Sequence, residues 1–391
     1  MKKGRIEWLD GLKGFACLCV FAHHFLLAFY PETYWGSAAR EQLLPASLAQ
    51  NFAMAVFNGN YLVALFCTIS GIVISVSVMG LKEKERISNI IVKRYFRLVL
   101  PVFAFSSVIF VMMKLGVFSN SEVGAITGND WFVSFYPAVD LKIKDLFETS
   151  FILVLFGGNS AFCGVFWMLK TIFLGSFLSI LLSMLSWNFN KNVIWVYFGV
   201  ALVYIRMNSL ELTFVLGTIL AYCLLDIQKN SRIHSVLGFF LCFVGYFLGG
   251  YPSGIEPQNY YRFLNICPGW LSGYQFWHMV GAAVTLLGIM LWRSPQKFFA
   301  NRVGKMFGKI SFAVYLVHFP VMCSFSSTLF LHMINDWGMG YHVSVGITFL
   351  CSIAVIILCS WIFYRFIEGK CARLTEMLLG KLQRAGGEKK S

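Results

Sequence analysis

Charge is what this sequence has least of. Asp, Glu, Lys and Arg make up 13% of its 391 residues, and only 18 of these are acidic. About a quarter is usual for a soluble domain. With 58% hydrophobic residues and a mean hydropathy of +0.69, the chain is excluded from the soluble globular class. Paired cysteines are missing too. The eleven cysteines are scattered singly, with no CxxC and no His/Cys cluster at metal-ligand spacing, so they read as small apolar packing residues and no metal is expected. Only Cys163 and Cys267 fall near the outer face, where a disulfide is open to them. The first apolar run lacks a small-x-small cleavage pattern, which argues against a cleavable signal peptide. There is no internal repeat, and no polar stretch amounts to a separate soluble domain.

What is there instead is a series of runs long enough to cross a bilayer. They fall at Gly14 to Phe29, Tyr61 to Gly80, Tyr95 to Val117, Phe162 to Trp187 and Val193 to Ile205. Five more follow at Leu210 to Leu225, Ile233 to Gly249, Tyr274 to Trp292, Ile310 to Leu331 and Val343 to Phe366. The expectation is an all-α, polytopic transmembrane helical bundle of about ten spans in a cell membrane. Residues 1–370 would be the membrane domain and residues 371–391 a basic cytoplasmic tail that forms a surface helix. With the N-terminus inside, inner segments hold 25 of the 32 Lys and Arg, outer segments 5, and Lys114 and Lys170 lie within spans. Translocating basic residues is disfavoured, so both termini are expected in the cytoplasm. The formal charge of +14 follows from that topology and calls for no nucleic acid.

Inside the first run stand two adjacent histidines, in EWLDGLKGFACLCVFAHHFLLAF. Lys13 and His24 are eleven residues apart, about 16 Å along one helical face. Asp10 and Cys17 share that face, while His23 points about 100° away. An imidazole near the middle of the hydrocarbon is costly unless it meets protein, water or substrate. The face of His24 is therefore expected to line a cavity, with His23 against a neighbouring helix.

Further along, Arg94 and Arg97 occupy one face at the mouth of the third run. Their forks suit a polyphosphorylated donor such as a coenzyme A thioester, or they are topology anchors. Ser70 and Gly71 read as a close helix contact or a polar path lining. Lys170 lies deeper than a lysine stem comfortably snorkels, facing a cavity or an ion pair. His318 is similarly deep and precedes Pro320 by two residues, a proline that frees a carbonyl within the span. His278 and Glu211 sit nearer the interface, where polar groups are cheap. Aromatics in the outer loops, Trp131, Tyr251, Tyr260 and Trp270 among them, suit sugar rings or an interfacial belt.

LDGLKGFACLCVFAHHF, FCTISGIVI, KRYFRLVLP, FWMLKTIFLGS and GKISFAVYLVHFPV, in that order and spacing, resemble the acyltransferase-3 family of integral membrane acyltransferases. The resemblance covers nearly the whole chain. It implies transfer of an acetyl group from cytosolic acetyl-CoA to a hydroxyl of a surface or exported carbohydrate. His24 would be the catalytic histidine, and Arg94 and Arg97 would belong to the donor site. By their own positions Lys13 is a further candidate to hold the donor, and Asp10, His23, Ser70, Trp167, Lys170 and His318 are candidates to line the cavity. No tightly bound cofactor is implied; the donor is a substrate, and polysaccharide-synthesis proteins are candidate partners. Lys13 stands where the family usually has arginine, and Ile172 where it commonly has glutamate after the tryptophan of the fourth span. The appended extracytoplasmic hydrolase-like domain of some relatives is not expected. A glycan transporter or translocation partner, and a non-catalytic subunit of a polysaccharide-synthesis complex, are the other readings.

Overall fold

A computed structural model describes residues 6–81, 87–137, 141–187, 189, 192–226 and 232–387. Its principal helices are α1 (Glu7–Phe29), α2 (Gly59–Met79), α3 (Ile87–Lys114), α4 (Trp167–Leu185), α5 (Val193–Arg206) and α6 (Leu212–Asp226). They continue with α7 (Arg232–Gly249), α8 (Gly273–Leu291), α9 (Arg302–Val321), α10 (Tyr341–Phe363) and α11 (Gly369–Gly387). No strand occurs among the described residues. Each of the ten expected runs coincides with one of the first ten of these helices. Among the described residues, seven helices are long and apolar enough to cross a membrane. Those at Val193–Arg206, Leu212–Leu224 and Ile233–Gly249 are shorter; fourteen residues span only about 21 Å, against a hydrocarbon layer of about 30 Å. Several basic residues behind the expected orientation, among them Lys2, Lys82, Lys191, Lys229 and Lys389, lie outside the described residues.

The chain divides into two compact units. The first comprises Met1–Gly80, Ser121–Ser134 and Gly175–Ser311, the second Leu81–Asn120, Phe135–Leu174 and Phe312–Ser391.

In the first unit α2 is central and packs on α1, α6 and α8, while α7 packs on α8 and α5 on α6. Small residues permit these approaches, because helix backbones in a bilayer gain most from close contact. A Cβ on Gly71 would lie 3.0 Å from the Phe214 carbonyl oxygen, and one on Gly217 would lie 2.5 Å from that of Thr68. Gly71 is thus a close helix contact. The same seam is tied by a bond of 2.9 Å between the buried hydroxyls of Ser75 and Thr218. At the start of α1, Gly14 and Gly308 play the same part. A Cβ on Gly14 would come within 2.4 Å of the Phe307 carbonyl carbon, and one on Gly308 within 2.6 Å of the Asp10 oxygen. An ion pair of 2.7 Å between Lys305 and Glu7 closes that end.

The other end of α1 is set by Pro31. A proline disfavours helical torsions in the residue before it, and Tyr30 accordingly takes φ −136°, ψ 68°. Pro31 also has no N–H, so the Leu27 carbonyl four residues back has no helical partner. The Asn129 amide supplies one, donating to Leu27 O at 2.5 Å. That bond, with buried Phe132 packed on Phe29 at 6.4 Å between ring centroids, seats residues 128–134 on the end of the helix.

In the second unit α11 packs along α3, joined by an ion pair of 2.8 Å between Lys93 and Glu376. Thr375 and Leu379 are buried. The segment expected as a tail from residue 371 is therefore a helix that begins at Gly369 and carries a packed face. In α9, Pro320 leaves the Leu316 carbonyl without a helical donor, and the buried thiol of Cys163 points to it at 3.9 Å. A π-helical turn, Met322–Ser326, follows. Cys163 and Cys267 are both free thiols.

Candidate active site at the end of the first helix

The two histidines of α1 meet different surroundings in the first unit. His23 Nδ1 lies 2.9 Å from the Phe57 carbonyl oxygen. A carbonyl only accepts, so Nδ1 carries the proton and Nε2 is left as the basic nitrogen. The ring lies against the start of α2, where a Cβ on Gly59 would be 2.3 Å from its Cδ2, and meets Tyr34 edge-on at 5.7 Å. His24 stacks on Trp131 instead, with ring centroids 6.0 Å apart and planes 12° from parallel. The two imidazoles are themselves 5.2 Å apart.

Two cavities flank this pair. One of about 30 Å³ is lined by His23, Tyr34, Asn58 and Ser253, with apolar residues around them. That is room for a water or two. The other, about 260 Å³, is lined by Pro31, Trp35, Arg40, Asn129, Asp130 and Trp131 among others. His23, expected against a neighbouring helix, also lines the smaller cavity; His24 lines neither of the two, and only its stacking partner Trp131 lines the larger one.

The face that carries His24 is not uniform. Asp10 is pressed on Gly308, Cys17 is buried, and the Lys13 ammonium sits 4.8 Å above the Phe66 ring. The Ser70 hydroxyl donates to Phe66 O of its own helix at 3.0 Å. Lys13 and His24, three turns apart, reach different surroundings.

The remaining candidates belong to the second unit. Arg94 is half-buried and Arg97 exposed on one face of α3. Trp167 is exposed and its backbone N–H donates to Ser160 Oγ at 3.1 Å. The Lys170 stem packs beside Gly158. Ile172 is 4% exposed, so the position supplies packing and no acid or base. His318 is buried, its Nδ1 donating to Val314 O of the same helix at 3.1 Å.

Sequence reasoning passed over two asparagines and placed His278 only as a cheap interfacial group. Asn129 seats the loop that bears Trp131. Asn58 joins the Tyr251 carbonyl and His278, at 3.1 and 3.2 Å. His278 Nε2 lies 2.8 Å from that same carbonyl, and its Nδ1 is buried without a partner among the described residues. The signals were weak: an asparagine before an Asp-Trp pair, and another before the Gly59 that opens a helix.

Apolar helices in membrane-crossing lengths, with His23 lining one cavity and His24 stacked on the wall residue of another, define a helical membrane domain built around its first helix. The chain belongs to the acyltransferase-3 family, whose model, described as an acyltransferase domain, matches residues 6–365. Acyltransferase clz18 of Cochliobolus lunatus is 27% identical over 142 residues, 34% of this chain and 30% of that protein. Acyltransferase R4 of a Phoma species is 26% identical over 145 residues, with the same shares of each chain. The match spans about three-tenths of the length of these curated relatives. No solved structure matches the chain.

Proposed function

We propose that this chain is a membrane-embedded O-acyltransferase that moves an acyl group, acetyl from cytosolic acetyl-CoA, to a hydroxyl of a cell-envelope or exported carbohydrate. The observation that carries the reading is His24 stacked on Trp131, at the wall of a cavity on the end of α1. Membership of the family supports it. His24 takes the proton of the acceptor hydroxyl as its oxygen attacks the thioester carbonyl. The C–S bond breaks, and the proton passes to the departing thiolate. His23, fixed by Phe57, is a positioning residue that keeps the rings in register. Lys13, Arg94 and Arg97 neutralise donor phosphates, the guanidinium forks giving paired hydrogen bonds.

Mass spectrometry of surface glycans, from cells carrying the wild-type chain or His24→Ala, tests the reading. The expected result is loss of one acyl unit per repeat in the variant. Identical glycans would favour transport without transfer. The donor assignment has its own test. Arg97→Lys keeps the charge and loses the planar fork, so apparent affinity for acetyl-CoA in membranes should fall about tenfold, the equivalent of one charge-assisted hydrogen bond. An unchanged value would return Arg97 to a topology anchor.

A further inference from the structure

The cavity of about 260 Å³ at the end of α1 is a built feature. Its walls come from residues 31–40 and 128–131, with two direct contacts, one of them an exposed ion pair, and two features of the neighbouring backbone shaping them. Arg40 pairs with Asp130 at 2.8 Å. Asn129 is tied to Leu27 O. Gly128 takes φ +65°, and a Cβ there would fall 2.8 Å from Arg40 Cβ, so glycine is needed both for the turn and for the approach. Glu32 is buried and accepts the N–H groups of Leu43 and Leu44 at 3.0 and 2.6 Å, which fixes the chain just beyond the wall.

We propose that this cavity is the acceptor subsite and takes a single neutral sugar ring, held between the Trp35 and Trp131 indoles and the Arg40–Asp130 pair. The proposal rests on the acyltransferase reading for its direction toward His24. Its chemistry is local. Pockets for drug-sized ligands run to about 300–1,000 Å³, so a cavity slightly below that range suits one ring with its substituents. Indoles offer flat amphipathic faces to the apolar C–H side of such a ring. The polar wall offers both senses of hydrogen bond, since Arg40 only donates and Asp130 only accepts. A sugar hydroxyl does both. A phosphate or carboxylate ligand would gain from Arg40 and be repelled by Asp130. An alkyl chain would leave the pair unused. Trp131 connects the subsite to the chemistry, because the indole that lines the cavity is the one on which His24 stacks.

The test uses the full chain in lipid nanodiscs and saturation-transfer NMR with methyl glycosides of glucose, galactose, mannose and N-acetylglucosamine, and methyl glucuronoside as the anionic counterpart. At least one neutral glycoside should receive saturation from the wild-type chain, and the glucuronoside about fivefold less. Trp35→Ala should reduce the signal about fivefold, and Trp35→Phe, which keeps an aromatic face, should restore most of it. Ala38 is an exposed residue of the same wall. Ala38→Trp fills the cavity without removing a contact and should abolish the signal. Trp195→Ala, at a residue 73% exposed on α5, is the control and should change nothing. No saturation with the wild-type chain, an unchanged signal in Ala38→Trp, or a preference for the glucuronoside would overturn the subsite. Acyl transfer itself is read separately, from the His24→Ala glycans. That loss can occur with sugars bound elsewhere, and glycosides can bind here in a chain that transfers nothing.

Discussion

Pro31 and Pro320 pose one problem in two places and receive different answers. Each lacks an N–H, and each deprives the carbonyl four residues before it of its helical bond. At Leu27 the helix stops, and the partner is an amide N–H at 2.5 Å from Asn129, on a loop a hundred residues away in sequence. At Leu316 the helix carries on through a π-helical turn, and the partner is a thiol at 3.9 Å from Cys163. A thiol is a weak donor and an amide an ordinary one. The stronger repair falls where a loop carrying Trp131 must be held against His24. The weaker falls in a packed interior, where neighbouring side chains already fix the helix. A freed carbonyl in a membrane helix is thus either an attachment point or a tolerated flaw, and the donor tells which.

If the attachment at Leu27 serves chemistry, the largest effect belongs to the residue it delivers Trp131 to. His24→Ala should lower acyl transfer about a hundredfold to ten-thousandfold, the usual loss on removing a general base, with the elution profile of the purified chain unchanged. His23→Ala removes the bond to the Phe57 carbonyl, and should act chiefly by destabilising the fold, by about 1–3 kcal/mol for the orphaned group. Equal losses of transfer from two equally stable variants would mean that the imidazoles work as a pair.

Next in size is Asn129→Ala. Leu27 O is then left without a donor in an apolar setting, at about 1–3 kcal/mol, and the Trp131 loop loses its anchor. Equilibrium unfolding in mixed micelles should show the loss of stability. Residual transfer, normalised to folded protein, should also fall, because Trp131 no longer holds its place. A variant that loses stability but keeps normalised transfer would reduce the loop to a structural patch.

Much of this was legible before any coordinates. Ten apolar runs appear as helices, seven of them, among the described residues, long and apolar enough to cross a membrane, because helix-forming apolar composition and length are stated directly by a sequence. Gly71 read as a close contact because a glycine within an apolar helix has few other uses there. The carbonyl freed by Pro320 could be named for the same reason: a proline acts on its own helix, at a fixed offset. The partners of freed groups were not legible. Neither Asn129 nor Cys163 carries any mark of the carbonyl it faces, since those pairings join residues more than a hundred positions apart. Nor did the helical wheel separate the histidines well. It placed His24 with Lys13, Asp10 and Cys17, yet these four meet a tryptophan, a phenylalanine, a glycine and a packed interior. A face is shared along a helix; its surroundings are supplied by other segments.

Pro31→Ala gives a finer test of the first repair. With alanine at 31, Tyr30 is free to resume helical torsions and residue 31 gains an N–H for Leu27 O. Asn129→Ala should then cost less than it does beside proline, with a coupling of about 1 kcal/mol in a double-mutant cycle. Strict additivity would mean that the amide does not compensate for the proline and that its bond to Leu27 is incidental.

The smallest effect expected is the matching cycle at the second proline. Cys163→Ala should cost about 1 kcal/mol, near the value of one buried methylene-sized group, and nearly all of that through packing. Pro320→Ala restores a backbone donor to Leu316 O. Because a thiol at 3.9 Å contributes little as a donor, restoring the N–H should hardly alter what Cys163→Ala costs. The coupling should stay below about 0.5 kcal/mol, the range of independent sites. Measured in the same micelles as the Pro31 cycle, the two couplings stand side by side. A value at Pro320 as large as that at Pro31 would show that Cys163 is also an anchor, and that donor strength does not separate attachment from tolerance.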